Sequence, residues 1–254
     1  MGHDPAAVIS RSAIDAVVFD MDGVVTQTAS VHAAAWTALF DAYLTEAQRR
    51  TDGAGGAYAP FTQADYLRFV DGKPRYDGVR DFLASRGISL PWGDPSDPPD
   101  TETVCGLGNR KDRYFHQLID ERGVQPYAST VDLINALKDA GVHVAVISAS
   151  RNTTKILEAA GVRGLFEAQV DGEVAAELGL PGKPEPAVFV EAARRLGATP
   201  ARAAVVEDAI AGVEAGRRGG FALVIGVDRG GNREALAAGG ADAVVSDLAE
   251  VHLG

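Results

Sequence analysis

The 254-residue chain is short of cysteine and of long apolar runs. Its one cysteine, Cys105, excludes a disulfide within the chain and a metal site built from several thiolates, and we expect it to be an inert apolar residue. No apolar run approaches the roughly 18 residues of a membrane span. The opening MGHDPAAVISRSA lacks the basic region and apolar core of a signal peptide. These absences predict a cytoplasmic protein that has no membrane partner.

Basic residues are also scarce, with 24 lysines and arginines against 35 aspartates and glutamates and a formal net charge of −11. Because nucleic acids and anionic membranes bind to basic patches, this balance excludes them as the main partners. It remains compatible with a small phosphorylated substrate, since a metal ion or a few basic side chains can reverse the field locally. The 46% hydrophobic and 23% charged residues are typical of a globular protein.

Short apolar runs alternate with helical patterns along most of the chain. Several runs are continuously apolar, as in strands that are covered on both faces of a parallel sheet. Strand and helix in alternation indicate a doubly wound α/β domain. One predicted helix has Ser129 as its N-cap and stops at Gly141, and another lies between Pro186 and Gly197. The predicted strands are AVVFD (16–20), VHVAVIS (142–148), AAVVED (203–208), FALVIGV (221–227) and DAVVSD (242–247).

Residues 31–124 break this alternation, and we expect no strand there. In their first segment the large apolar residues between Trp36 and Leu44 recur at i, i+3, i+4, i+7 and i+8, which places them on one face of a helix. We therefore predict an α/β core formed by residues 1–30 and 125–254, with an all-helical domain inserted after the first strand. The other helices predicted in the insertion cover 62–70, 76–87 and 109–123, and predicted loops cover 52–60 and 90–100.

Polar side chains stand at the ends of the predicted strands, where doubly wound sheets bind their ligands. The first strand ends in two aspartates with one residue between them, the second in a serine, and the third in a glutamate and an aspartate. A lysine lies in the intervening loop GLPGKPEP. If these strands are neighbours, four carboxylates, one hydroxyl and one ammonium group converge on a small region. The residues are Asp20, Asp22, Ser148, Lys183, Glu207 and Asp208.

Four carboxylates brought together without a cation would raise one another's pKa values. A hard divalent cation removes this repulsion, and ligands that are all oxygen favour Mg²⁺ over zinc. The cation, the Lys183 ammonium, the Ser148 hydroxyl and the backbone N–H groups of a helix that starts near Asn152 would together suit a phosphate dianion.

This arrangement suggests an order of chemical events. Asp20, ionised beside the metal, can attack phosphorus and form an aspartyl phosphate. Asp22 would point to the opposite face of an ideal strand, so it must lie beyond the strand end, where Gly23 permits a turn. From there Asp22 can protonate the leaving oxygen and later deprotonate the acceptor.

Each of these residues also has a simpler interpretation when it is taken alone. Asp208 before a helix is typical of an N-cap, Lys183 of a solvated loop residue, and Ser148 of a local backbone hydrogen bond. Their occurrence together in this order, each beside a strand end, favours the catalytic interpretation.

Four segments carry these groups: FDMDGVVTQT (19–28), VISAS (146–150), GKPEP (182–186) and VVEDAIAGVEAG (205–216). They resemble the four motifs of the haloacid dehalogenase (HAD) superfamily of aspartyl-phosphate phosphotransferases, and the resemblance covers nearly the whole chain. It implies an enzyme with Mg²⁺ as cofactor. The implied roles are nucleophile for Asp20, general acid and base for Asp22, phosphate ligands for Ser148 and Lys183, and metal ligands for Asp20, Glu207, Asp208 and the backbone carbonyl of Asp22.

The inserted helices stand where HAD enzymes carry a helical cap, and TASVHAAAWTALF, GKPRYDGV, GNRKDRY and SASRN resemble the β-phosphoglucomutase-like subfamily. That subfamily converts β-glucose 1-phosphate to glucose 6-phosphate through glucose 1,6-bisphosphate. The resemblance therefore implies a phosphorylated sugar as substrate and glucose 1,6-bisphosphate as activator; we expect a monomer. It implies a catalytic role for His32 and substrate contacts for Trp36, Gly72, Arg75, Lys111, Ala149, Ser150, Arg151 and Asn152, with Arg75 on the second phosphate.

The sequence departs from the subfamily at the entrance to the insertion and in the specificity loop. Gln27 replaces an aspartate, and Lys73 and Pro74 replace small residues. The resemblance therefore does not determine which sugar phosphate is the substrate. Two other functions stay open too. One is a sugar-phosphate phosphatase. The other is a weakly active phosphate-binding module, because AELGLP and GGFALVI resemble a HAD-like domain of mycobacterial proteins linked to trehalose phosphate metabolism.

The residues of the insertion also have structural interpretations. His32 is compatible with a partly buried structural histidine, and Arg75 and Lys111 with a solvated helical face.

Overall fold

The computed structural model describes residues 7–50 and 58–254, which fall into two compact units. The core unit lies within Met1–Thr28 and Val124–Gly254, and the helical unit is Ala29–Gly123. The domain boundaries predicted at 30/31 and 124/125 remain our proposal. Most of the predicted loop at 52–60, and the first six residues of the segment judged for a signal peptide, lie outside the described residues.

The core unit is built on a six-stranded parallel sheet, which confirms the predicted doubly wound α/β class. Its strand order is β4-β3-β2-β5-β6-β7, and a separate pair, β1 with β8, is also parallel. The strands are β1 (Val8–Ile9), β2 (Ala16–Asp20), β3 (His143–Ile147), β4 (Ala168–Val170), β5 (Ala203–Glu207), β6 (Leu223–Val227), β7 (Ala243–Val245) and β8 (His252–Leu253).

Continuous burial explains why the central strands read as unbroken apolar runs. Every residue of β2 and of β5 is buried, and Val18 and Val205 pack in one cluster with Phe189 from a neighbouring helix. The helices of the core unit are α5 (Ala128–Asp139), α6 (Thr153–Ala159), α7 (Gly172–Leu178), α8 (Ala187–Arg195), α9 (Ile210–Arg218) and α10 (Arg233–Gly239). Short 3₁₀ turns occupy Arg163–Leu165, Pro200–Arg202 and Leu248–Glu250.

One predicted helix start is wrong. Ser129 lies inside the first turn of α5, and Tyr127 is the N-cap residue, without a capping side chain. The Tyr127 carbonyl accepts from the amides of Thr130 and Val131, and the Ser129 hydroxyl bonds instead to the Asp247 carboxylate. The Ser129 hydroxyl therefore does not cap the helix, because it is hydrogen-bonded to Asp247 instead.

The helical unit has its own hydrophobic core. The predicted face of its first helix is confirmed, since Trp36, Phe40 and Leu44 are buried there. All the regular structure described in this unit is helical, and none of the described helices has the length and apolar character that crossing a membrane requires. Its helices are α1 (Ala29–Arg50), α2 (Gln63–Asp65) with a π-helical continuation (Tyr66–Val70), α3 (Arg75–Ser85) and α4 (Val104–Arg122).

The strand order marks where the core unit can bind a ligand. β2 lies between β3 and β5, so the chain leaves β2 toward β3 on one side and returns to β5 on the other. At such a switch point the loops after neighbouring strands diverge and leave a crevice at the carboxyl ends of the strands. Asp20 is the last residue of β2, and Glu207 is the last of β5.

Candidate active site

A buried lysine joins the carboxylates at the ends of β2 and β5. Lys183 Nζ donates to Asp20 Oδ1 at 2.5 Å and also to Glu207 Oε1. All three residues are buried, with Glu207 fully so. Glu207 is fixed further by the Ala209 amide, which donates to its second oxygen at 2.7 Å. The loop GLPGKPEP therefore delivers its cation to the strand ends, as the sequence predicted.

Burial and charge shift the pKa values of this cluster. Burial raises the pKa of Asp20 well above its usual range; Lys183 opposes this, and Glu207 and Asp22 add to it. Burial lowers the pKa of Lys183, but its ion pairs with Asp20 and Glu207 outweigh that effect and raise it, so the side chain stays an ammonium ion. One lysine does not neutralise the gathered carboxylates, which leaves a demand for further positive charge.

Three of the carboxylates are arranged so that they could hold a metal ion. Asp20, Glu207 and Asp208 each offer an oxygen, and these oxygens lie within 4.8 Å of one another. Oxygen-only donors at this spacing fit a hard divalent cation such as Mg²⁺. Gly212 in α9 makes room for this set, because a Cβ atom there would lie 1.8 Å from Glu207 Oε1.

The chain turns sharply after β2 at Gly23, whose φ is +85°. Only glycine adopts this conformation without strain, and a Cβ atom would also lie 1.8 Å from Asp208 Oδ2. The Gly23 amide donates to the Thr26 carbonyl at 2.8 Å, which closes the turn. The turn predicted at Gly23 is therefore present, and it releases Asp22 from strand geometry.

Two hydroxyl groups hold the carboxylate of Asp22. Ser148 Oγ donates to Asp22 Oδ2 at 3.2 Å, and Thr28 Oγ1 donates to Asp22 Oδ1. The Ser148 oxygen in turn accepts from the Ser150 amide at 3.1 Å. Ser148 therefore connects the loop after β3 to Asp22, and Thr28, which the motif analysis did not single out, completes the carboxylate's support.

The loop after β3 carries the other residues predicted to contact phosphate. Ala149 and Arg151 are exposed, Ser150 and Asn152 are half-buried, and the Asn152 amide donates to Ser150 Oγ at 3.1 Å. The loop packs on the start of α7, where the amide of Gly172 donates to the Ser150 carbonyl. Contacts of these residues with a substrate stay a prediction.

Sequence reasoning missed two further residues that hold the turn after β2. Thr130 Oγ1 in α5 donates to the Val24 carbonyl at 2.7 Å, and Arg229 Nε donates to the Gly23 carbonyl at 3.0 Å. Both are more than 100 positions away in the chain, and neither belongs to a motif. A helix-start threonine and a loop arginine gave no signal that could have identified them.

Within the helical unit, three of the predicted residues form a cluster. Lys111 Nζ donates to His32 Nδ1 at 2.5 Å and lies 5.3 Å from the centre of the Trp36 ring. The His32 ring stacks on Phe115 at 4.0 Å between centroids. Lys111 and Trp36 are both buried, so the solvated face considered for Lys111 is wrong, while its substrate contact stays a prediction.

Arg75 is the first residue of α3 in the same unit, and Gly72 lies in the turn before that helix. Arg75 Nη1 pairs with Asp112 Oδ2 at 3.1 Å, and the Arg75 side chain is 17% exposed. Gly72 has a φ of +67° in the turn before the helix. Asp112 also lies 3.6 Å from His116 Nε2. The guanidinium of Arg75 is therefore held on α4 rather than free on a helical face.

Comparisons with known proteins agree with the motif resemblance. A family model described as haloacid dehalogenase-like hydrolase matches residues 14–220. A relative from Mycobacterium bovis named β-phosphoglucomutase is 49% identical over 243 residues, which cover 94% of this chain and 91% of the relative. An uncharacterized glycosyl hydrolase of Mycobacterium tuberculosis is 48% identical over 250 residues, 98% of this chain but 18% of the relative.

Among solved structures, a crystal structure of β-phosphoglucomutase from Clostridium difficile matches with a TM-score of 0.72 at 23% identity. The match covers 93% of this chain and 92% of that one. At this identity the likeness supports the fold alone.

Proposed function

Because this chain belongs to the haloacid dehalogenase-like hydrolases and is an enzyme of the HAD type, we propose that it is a Mg²⁺-dependent β-phosphoglucomutase. In this proposal it converts β-glucose 1-phosphate to glucose 6-phosphate through an aspartyl phosphate and glucose 1,6-bisphosphate. The observation that carries the proposal is the buried cluster of Asp20, Lys183 and Glu207 beside a separately held Asp22.

In the first step Asp20 acts as the nucleophile. An Asp20 oxygen bonds to the phosphorus of the 1-phosphate of glucose 1,6-bisphosphate while the bond from that phosphorus to the sugar oxygen breaks. The Asp22 carboxyl gives its proton to the departing alkoxide, which releases glucose 6-phosphate. Lys183, already bonded to Asp20, orients that carboxylate and offers positive charge to the phosphoryl oxygens. Asp20 therefore acts as the nucleophile and Asp22 as the general acid.

The metal would be held by Asp20, Glu207 and Asp208, with the Asp22 backbone carbonyl as a further ligand. When bound, Mg²⁺ supplies positive charge that stabilises the transferring phosphoryl group and keeps Asp20 ionised. Burial, with the charges of Glu207 and Asp22, raises the pKa of Asp20 in spite of Lys183, and a cation held by the three carboxylates would oppose that shift, which supports this assignment.

The second step reverses the roles. β-Glucose 1-phosphate presents its 6-hydroxyl group, the Asp22 carboxylate takes the proton of that group, and the phosphoryl group leaves Asp20 for the same oxygen, which regenerates glucose 1,6-bisphosphate. The hydroxyls of Ser148 and Thr28 hold Asp22 by both oxygens, which supports its service as both acid and base. We further propose that Arg75 and Lys111, with Gly72, Trp36 and His32, serve the sugar and its second phosphate.

A phosphatase is the second candidate, and a specific observation favours it. The two cations proposed for a second phosphate already have partners, Arg75 with Asp112 and Lys111 with His32. If these pairs hold, water could replace the sugar as acceptor. The third possibility, a phosphate-binding module, fits a relative of which this chain matches 18%, but intact Asp20 and Asp22 argue against it.

One assay separates these functions. The protein receives β-glucose 1-phosphate, Mg²⁺ and a trace of glucose 1,6-bisphosphate, and glucose 6-phosphate and free phosphate are followed separately. We expect glucose 6-phosphate as the main product and its loss in Asp20→Asn. Free phosphate alone would make the protein a phosphatase, and no turnover of any sugar phosphate would leave the binding module. Activity that persists in Asp20→Asn would remove the nucleophile assignment.

A further inference from the structure

Arg229 lies just beyond β6 and is held in place within the core unit. Besides its bond to the Gly23 carbonyl, its Nη1 donates to the Ser246 carbonyl at 3.2 Å and to Asp247 Oδ2 at 3.4 Å. Its guanidinium carbon lies 3.7 Å from the centre of the Tyr127 ring. The side chain is 19% exposed. An arginine fixed by so many contacts presents its Nε–H to the turn in one defined direction.

The carbonyl that Arg229 holds belongs to the residue that follows Asp22. Other carbonyls of the turn have donors of their own: within the turn, the amides of Val25 and Thr26 donate to the Met21 carbonyl, and from α5 the Thr130 hydroxyl donates to the Val24 carbonyl. Arg229 adds a donor from the β6 side. The peptide that joins Gly23 to Val24, one residue beyond Asp22, is therefore held from the side of the sheet that carries β6 and β7.

Gly23 also has a close neighbour in Asp208, which follows β5. Gly23 packs so closely on Asp208 that even a methyl group would collide with that carboxylate. Asp20, in contrast, sits in a strand that pairs with both β3 and β5. If the Gly23 carbonyl shifts, Asp22 moves relative to Asp20 while Asp20 stays in place.

We propose that Arg229 is a positioning residue of the acid/base carboxylate. It acts on the backbone next to Asp22, while the hydroxyls of Ser148 and Thr28 hold the carboxylate oxygens. By holding the Gly23 carbonyl it fixes Asp22 at the distance and angle from which the carboxyl group protonates the departing sugar oxygen. This inference rests on the proposed function, in which Asp22 is the general acid. It differs from a purely structural role because it predicts damage to one chemical event rather than to the whole site.

Two substrates distinguish a positioning role of Arg229 from a purely structural one: the leaving group of one substrate needs a proton, and that of the other does not. The rate of phosphoryl transfer to Asp20 is measured by rapid quench with glucose 1,6-bisphosphate, whose alkoxide must be protonated, and with p-nitrophenyl phosphate, whose phenolate leaves without a proton. Arg229→Gln should slow the first reaction by about 10- to 100-fold and the second by less than about threefold. Arg229→Lys, which can still donate to the Gly23 carbonyl, should recover part of the sugar-phosphate rate.

Arg217→Gln is the matched control, because Arg217 is exposed and pairs with Asp242; both rates should stay unchanged. Equal losses with the two substrates in Arg229→Gln, or no loss, would overturn the inference. If that variant does not fold, Arg229→Lys carries the test, and equal losses there have the same meaning. Asp22→Asn, run alongside, distinguishes the failures: without a selective loss in Asp22→Asn the acid role of the proposed function is wrong. A selective loss in Asp22→Asn alone overturns only the role of Arg229.

Discussion

At the scale of single residues, Gly212 shows how a small side chain shapes the proposed metal site. Its Cβ position lies against three atoms of Glu207, at 1.8, 2.1 and 2.5 Å. Glu207 cannot retreat, because Lys183 and the Ala209 amide hold both of its oxygens. Gly212→Ala should therefore displace the carboxylate and weaken Mg²⁺ affinity by about 10- to 100-fold, measured by calorimetric titration and by the Mg²⁺ dependence of turnover.

Gly239→Ala is the control for that change. Gly239 is also a helical glycine, the last residue of α10, and a Cβ atom there would have its nearest neighbours at 3.5 Å or more, an ordinary contact distance. The Gly239→Ala variant should bind Mg²⁺ with the same affinity as the parent protein. Equal Mg²⁺ affinity in Gly212→Ala and Gly239→Ala would show that Glu207 is not a ligand or that the site adjusts freely.

Some residues of the candidate site could be predicted from the sequence, and others could not. A sequence pattern and the rule on strand ends suffice to bring together the polar residues that stand at, or within two residues of, the ends of apolar strands, namely Asp20, Asp22, Ser148, Glu207 and Asp208. Supporting residues such as Thr130 and Arg229 bond to backbone carbonyls of a distant segment. Nothing in the local sequence of a threonine or a loop arginine encodes such a partner.

At the scale of elements, a capping box starts the short helix α2. Thr62 and Asp65 bond reciprocally, and Asp65 Oδ2 also accepts from Arg86 Nη2 at 2.7 Å, beyond the end of α3. Burial raises the pKa of Asp65, but the bonds from Arg86 and Thr62 outweigh it and hold the pKa below its usual value. The carboxylate thus ties two helical segments together only while it is ionised.

This predicts a pH-dependent contribution to stability. Since the pKa of Asp65 is lower in the folded state, its contribution is complete above the unfolded pKa of about 4 and disappears as the pH falls through the folded value. Asp65→Asn should lower the free energy of unfolding by about 1–3 kcal/mol at pH 7 and by much less at pH 3, measured by urea denaturation. Asp77→Asn, which breaks an exposed pair with Arg80, should change stability by less than about 0.5 kcal/mol. The same deficit at both pH values in Asp65→Asn would contradict this account.

Elements that local patterns predict well are strands that are buried along their whole length and helices that are buried along one face. β2 and β5 match their apolar runs, and α1 matches its apolar face. β4 escapes such a prediction because it has three residues with a glutamine in the middle. The pairing of β1 with β8 cannot be predicted from local patterns either, because each strand has two residues and the two come from opposite ends of the described chain.

At the scale of the whole molecule, the two units differ in what they carry. The core unit holds every group proposed for phosphoryl transfer, namely the four carboxylates, Ser148 and Lys183. The helical unit holds Arg75, Lys111 and His32, which are proposed for the sugar and its second phosphate. The order of the chain alone reveals this division, since one insertion interrupts an otherwise regular alternation. The pairing of Arg75 with Asp112 required the folded helices.

This division predicts a selective defect when the helical unit loses its arginine. Arg75→Ala should lower formation of glucose 6-phosphate by about 10-fold or more, because a phosphate dianion loses a charge-assisted bidentate partner. Hydrolysis of p-nitrophenyl phosphate, which has no second phosphate, should stay within about twofold. The measurement compares kcat/KM for the two reactions. Arg80→Ala is the matched control, since Arg80 lies on the same helix, is 52% exposed and pairs with Asp77 and Asp81; it should affect neither reaction. Equal losses with both substrates in Arg75→Ala would mean that this arginine supports the fold of the helical unit and does not serve a second phosphate.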